Sequence, residues 1–237
     1  MVKNITCIAL LLFYALQLTG QSGNVHNLII SAQQKDSLKD FNGSLDDLNN
    51  ALAISLNDTA YWLRARVHLE LNNIKEALKD VNAVINLKHK HPEAYYTRGL
   101  IKAKNENYTG AVSDFNKAIE LKNDFTKAYY NRALAFAFLQ EFNLAIKDFT
   151  KAIELKEDYV SAWFNRGCWK DVSGDREGAI KDLEKAHELD VKNADICVEF
   201  AIVYYEIGQK EKACNQLGVA KSLGCERSEE LMGTFCK

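Results

Sequence analysis

The sequence predicts an all-α fold, a solenoid of about six stacked helical hairpins closed by a C-terminal capping helix. Three observations predict it. The chain has 237 residues and a single proline, Pro92; proline removes a backbone donor and breaks helix interiors, so its scarcity leaves long runs free to be helical. Segments of the chain superimpose on one another without gaps at a shift of 34 residues. Within a copy, Ala111, Phe115 and Ala118 fall at i, i+4 and i+7, one face of a helix.

The first element is a targeting segment. Lys3 supplies a positive start, and Ile5 to Leu18 form an apolar stretch of 14 residues followed by Gly20, Ser22 and Gly23. That length suits a signal peptide over 1–22 and falls short of the roughly 20 apolar residues that span a bilayer. An uncleaved membrane tether is the competing reading. Cys7 lies near the start of the apolar stretch, where a lipid-anchoring cysteine would follow it, so lipidation is not expected.

The repeat region runs over 23–227. A degenerate copy at 25–57 keeps Ala32, Ser44, Leu48 and Ala51 in register, with one residue missing before Thr59. Regular copies occupy 58–91, 92–125, 126–159, 160–193 and 194–227. An aromatic opens four of them (Tyr61, Tyr95, Tyr129, Trp163), and a small residue follows (Ala65, Gly99, Ala133, Gly167, Ala201). In the second half of each copy stand Ala77, Ala111, Ala145, Ala179 and Ala213, then the bulky Val81, Phe115, Phe149, Leu183 and Leu217. Small residues let paired helices approach closely, and the bulky ones fill the space between hairpins. One hairpin cannot bury its apolar face alone, so the copies must stack.

This pattern resembles the tetratricopeptide repeat, a 34-residue helix–turn–helix (helix A, then helix B) of which exported bacterial proteins carry many copies. The resemblance implies a right-handed superhelix whose concave face is lined mainly by helices A. It departs from the family in lacking the proline between repeats, where His89, Asn123, Glu157 and Val191 stand.

On the positions that line the concave face in this family, the sequence has Trp62, Arg66, Tyr96, Leu100, Tyr130, Leu134 and Phe164, with Phe138 further along and Asn131 and Asn165 beside the aromatics. Aromatics with adaptable amides suit a bound peptide or protein segment, the rings giving contact area and the amides fixing register. The same rings also suit plain packing between hairpins, and both readings stand at this stage. The implied function is a non-catalytic scaffold of the cell envelope, periplasm or extracellular space. Two other classes compete with it: a membrane-tethered subunit of an envelope complex, and a cell-wall processing factor.

Arg64, Arg98, Arg132 and Arg166 recur in helix A, and Asp80, Asp114, Asp148 and Asp182 recur in helix B, all at the 34-residue period. They predict a ladder of exposed ion pairs, each contributing about 0–1 kcal/mol. Even repetition argues against catalysis, which needs an asymmetric cluster.

The last element, 228–237, is a cap, with a short helix expected over Glu226 to Thr234. Removal of Cys7 with the signal leaves Cys168, Cys197, Cys214, Cys225 and Cys236, four of them in the last 41 residues. In an exported chain this asymmetry suggests local disulfides. Hairpin geometry suggests Cys197 with Cys225 and Cys214 with Cys236, although four cysteines allow three pairings. The resemblance to exported repeat proteins favours the Cys214–Cys236 half.

The chemistry-bearing motifs are missing. After His187–Glu188, Val191 stands where a zinc-protease helix would place its second histidine. His89 and His91 have no clustered cysteine or carboxylate in sequence. Net charge is −2, without a dense basic block, so nucleic acid is not an expected partner. No catalytic residue, cofactor or metal is expected, and no stable membrane insertion once the signal is removed.

Overall fold

Turns set the frame of this molecule. A computed structural model describes residues 23–88 and 90–237; the signal segment 1–22 and His89 lie outside the described residues. Within them the chain forms thirteen helices and no strand. Two compact units divide it, one ending at Asn105 and one starting at Glu106.

The first unit holds α1 (23–37), α2 (Phe41–Ile54), α3 (Asp58–Glu70), α4 (Ile74–Leu87) and α5 (Pro92–Lys104). The second holds α6 (Tyr108–Leu121), α7 (Thr126–Phe138), α8 (Phe142–Leu155), α9 (Val160–Val172), α10 (Arg176–Leu189), α11 (Ala194–Glu206), α12 (Lys210–Ser222) and α13 (Glu226–Phe235). Helices α3, α5, α7, α9 and α11 are helices A, and their first residues lie 34 apart.

Local chemistry explains the boundaries. The turn after helix A closes on a left-handed residue: Lys39, Asn72, Glu106 and Gln140 have φ of 60–63°, and Gly174 and Gly208 take the same place. The following amide then bonds back to the carbonyl five residues earlier, as Glu141 does to Phe136 and Asp175 to Lys170. At several helix starts a side chain accepts a backbone N–H of the first turn: Asp40 from Gly43, Asn57 from Ala60, Asn107 from Gly110 and Asp175 from Gly178. Pro92 sits at the first position of α5, where its missing N–H costs nothing.

Packing follows the periodicity. In α8, Ala145, Asp148, Phe149, Ala152 and Ile153 are buried, a stripe at i, i+3, i+4, i+7 and i+8. Each described helix packs on its neighbours in sequence within its unit, and helices A also touch directly, α3 with α5 and α9 with α11. Gly167 is held against α10: a Cβ there would lie 3.0 Å from Leu183 Cγ and 3.2 Å from the Ala179 carbonyl oxygen. At the end of the second unit, α13 lies on α11 and α12. Leu231, Met232 and Phe235 cover the cluster around Phe200 and Leu217, and Phe235 stacks on Tyr205 with centroids 3.9 Å apart.

The Arg–Asp ladder is seen, but its expected exposure is not. Asp80, Asp148 and Asp182 are buried at 2–5% exposure. Each is gripped by both ends of one guanidinium, from Arg64, Arg132 and Arg166, at 2.6–2.8 Å. Helix A lies so close to its own helix B that the carboxylate is roofed over. The third guanidinium nitrogen reaches the previous helix B, where Asn49, Asn116 and Thr150 accept from Arg64, Arg132 and Arg166. Each of these arginines also lies over the aromatic that opens its repeat, at 5.5, 5.4 and 4.7 Å. One side chain therefore ties three helices together. A pair built this way is a buried one, in which loss of either partner strands a charge.

Candidate functional site

Helices A carry the candidate binding residues. In the first unit the Trp62 indole N–H donates to Thr97 Oγ1 at 3.1 Å, linking α3 to α5. Trp62 packs against two apolar clusters, those on either side of α3. Arg66 is exposed; its guanidinium lies over Trp62 at 5.2 Å and 3.7 Å from Asp36 of α1. Tyr96 and Leu100 are half-buried on α5.

In the second unit Tyr130 lies edge-on to Phe149 at 5.6 Å and beside Tyr159 at 4.9 Å. Its hydroxyl accepts the Asn165 amide at 3.1 Å, so α7 and α9 are bonded through two of the candidate residues. Burial raises the Tyr130 phenol above its ordinary value, against the pull of its bonds to Ser161 and Asn165. Burial, then the neighbouring Tyr130, pushes Tyr159 up to about 12. Both phenols stay neutral and serve as hydrogen-bonding groups. Leu134 packs on the cluster around Phe149, and Phe164 on the next cluster, around Leu183 and Phe200.

The two asparagines each bond within their own helix. Asn131 donates to the Lys127 carbonyl and Asn165 to the Ser161 carbonyl, each at 2.8 Å and each one turn back in its own helix. A mid-helix amide finds the carbonyl four residues earlier, so part of its bonding capacity is already used. Phe138 differs from the other rings. It is 65% exposed and stacks on Tyr108 of α6 at 4.6 Å.

Sequence reading did not single out the inner side of α1. Two adjoining hollows of about 430 and 520 Å³ lie along α1 and α3 and share Gln33. Val25, His26, Ile29, Ile30 and Thr59 line the first; Asp36, Phe41, Leu63, Arg66 and Glu70 line the second. The signal was present in the degenerate copy: aligning Ala32 with Ala65 puts Ile29 and Gln33 at the places of Trp62 and Arg66.

Among the described residues, no group of three or more His, Cys, Asp or Glu is placed to hold a metal ion. His91 instead caps α5, its Nδ1 accepting the Ala94 amide at 3.2 Å. Burial, then Glu199 and Asp171, pushes the Cys168 thiol up to about 12, which keeps it unreactive. Of the cysteine pairs expected at the C-terminal end, Cys214 and Cys236 are joined, whereas Cys197 and Cys225 are free thiols. The formed bridge fits the path of α13, which runs back along α12 and brings Cys236 to the turn that carries Cys214.

Comparison with known proteins agrees with this architecture. Tetratricopeptide repeat models match residues 92–125 and 126–159. None of the curated proteins matches the chain. Among solved structures, Pseudomonas aeruginosa pilF is 14% identical with a TM-score of 0.80, covering 90% of this chain and 99% of its own. YrrB, described as a TPR protein with an unusual peptide-binding site, is 23% identical with a TM-score of 0.64, covering 72% of this chain and 88% of its own. A tetratricopeptide repeat protein from Parabacteroides merdae is 23% identical with a TM-score of 0.63, covering 90% and 84%. At these identities the likeness is one of fold. The family is generally a non-catalytic repeat scaffold for protein–protein interaction. With two repeats matched outright and the same helix pair recurring on either side of them, the chain is a tetratricopeptide repeat protein.

Proposed function

We propose that this protein is a non-catalytic scaffold, exported to the cell envelope or beyond it, that holds a peptide or protein segment against its helices A. One observation carries the reading. The hollows along α1 and α3 have apolar core residues at their floor (Val25, Ile29, Leu63) and the exposed Ile30 at the rim, beside groups that can fix register (Gln33, Asp36, Arg66). An extended segment needs that combination, apolar anchors for affinity and sparse polar contacts for direction. Phe138 and the half-buried Tyr96, Tyr130 and Phe164 offer further aromatic surface on the other helices A.

Photo-crosslinking tests the binding half. A benzophenone amino acid replacing Gln33 is expected to capture a defined partner in cells of the source organism. Arg66→Ala, at an exposed position whose pair with Asp36 is 3.7 Å long, should reduce that yield about tenfold, the equivalent of one lost 1.4 kcal/mol contact. Equal capture by the two forms, or capture equal to that from an exposed site such as Leu56, means that this face is not the docking face.

Export rests on the segment 1–22. No described helix is long and apolar enough to cross a membrane. Intact-mass measurement of the protein from its native cells should show loss of residues 1 to about 22, at the small residues after Leu18. An intact Met1 in a membrane fraction would instead support the tether.

A further inference from the structure

The last hairpin holds thiol chemistry that the binding face does not use. Cys197, near the start of α11, is fully buried in a cluster with Val198 and Ala220. Cys225, at the start of α13, packs half-buried against the same cluster. The placement follows from the fold: α11 and α12 are antiparallel, so the start of one lies beside the end of the other. The Cys225 amide then bonds back to the Ala220 carbonyl at 3.1 Å, turning the chain over that end. Nδ1 of His187 lies 3.8 Å from the Cys197 Sγ.

We propose that Cys197 and Cys225 are a second disulfide-forming pair, closed by exchange with a small disulfide such as oxidised glutathione, which fastens the start of α11 to the start of α13. The order of events follows from exposure. The Cys225 thiolate attacks glutathione disulfide, forms a mixed disulfide and releases one glutathione. Cys197 then attacks Cys225 Sγ, closing the protein disulfide and releasing the second glutathione. Two protein thiols are oxidised and one glutathione disulfide becomes two thiols. Burial favours the protonated Cys197 thiol, and His187 Nδ1, in the tautomer that leaves it without a proton, lies within reach to accept the thiol proton as Cys197 attacks. Cys168, on α9 and outside the cluster, takes no part. Together with Cys214–Cys236, the new bond would anchor the cap at both of its ends.

Trypsin separates the four terminal cysteines, leaving Cys197 in 193–210, Cys214 in 213–221, Cys225 in 222–227 and Cys236 in 228–237. The full chain is incubated with glutathione disulfide, alkylated under denaturing conditions, digested and mapped without reduction. The expected result is a species joining 193–210 to 222–227, with a melting temperature about 5 °C above that of Cys225→Ser under the same oxidant. Cys197 and Cys225 both recovered as alkylated thiols, or Cys225 arrested as its glutathione adduct, overturns the pairing. So does a link from either residue to Cys168 or Cys7. His187→Gln should slow ring closure at least about tenfold while leaving adduct formation at Cys225 unchanged. An unchanged closing rate removes the histidine from the step.

Discussion

Exchanging Arg132 for alanine is expected to cost about 3–5 kcal/mol of stability, seen as a lower urea midpoint at an unchanged slope. Asp148 is 5% exposed and accepts two guanidinium N–H groups, at 2.6 and 2.7 Å. The third contact, to Asn116 at 2.6 Å, joins α6 to the α7–α8 hairpin. Alanine removes all three bonds and the plate over Tyr129, and leaves the Asp148 carboxylate without its partner. The cost lies chiefly in that stranded charge. The double variant Arg132→Met/Asp148→Leu should therefore recover most of the loss, since well-packed apolar residues replace buried ion pairs at little cost. A single variant within about 1 kcal/mol of the parent would mean that the pair behaves as a surface one. The burial argued for the ladder would then be wrong.

Phe149→Ala should cost a similar amount, about 3–5 kcal/mol, for a different reason. Phe149 is fully buried and central to the cluster of Ala133, Ala145, Ala152 and Ala162. Those small neighbours cannot expand into the space left, so a cavity persists. Tyr130 rests edge-on against the same ring, so the variant should also unseat a candidate binding residue from below. Phe138→Ala is the comparison, because that ring is 65% exposed and its loss should change stability by less than about 0.5 kcal/mol. Denaturation curves of the two variants check both statements. Similar costs would contradict the division into core and surface rings drawn along these helices.

The fold was readable because each regular repeat places its residues in nearly the same surroundings. The alternation of Ala133 or Ala145 with Phe149 recurs at one period, and a pattern of that kind has only one way of being buried. The binding face was readable in part. Trp62, Tyr130 and Phe164 stand at equivalent places in the repeat, yet one sequence pattern serves both a ring facing a guest and a ring wedged between hairpins. Phe138 and Tyr130 lie on the same helix and differ in exposure because of neighbours supplied by other helices. Ile29 and Gln33 stand in the degenerate copy at the places of Trp62 and Arg66, but only the packing of α1 beside α3 makes the hollows there.

What the sequence by itself determined is the repeating unit: its helices, the small and bulky positions that let it stack, and the periodic pairing of Arg with Asp. These depend on neighbours within one copy or the next, so the chain states them directly. Only the tertiary structure decided that Asp148 is roofed over, that a Cβ at Gly167 would press on Leu183 where Ala133 carries one, and that Cys214 meets Cys236 while Cys197 lies sealed beside His187. Each of these turns on distances of a few tenths of an ångström to a few ångströms between side chains on different helices. A repeat period fixes which residues approach one another; how close they come is set by packing.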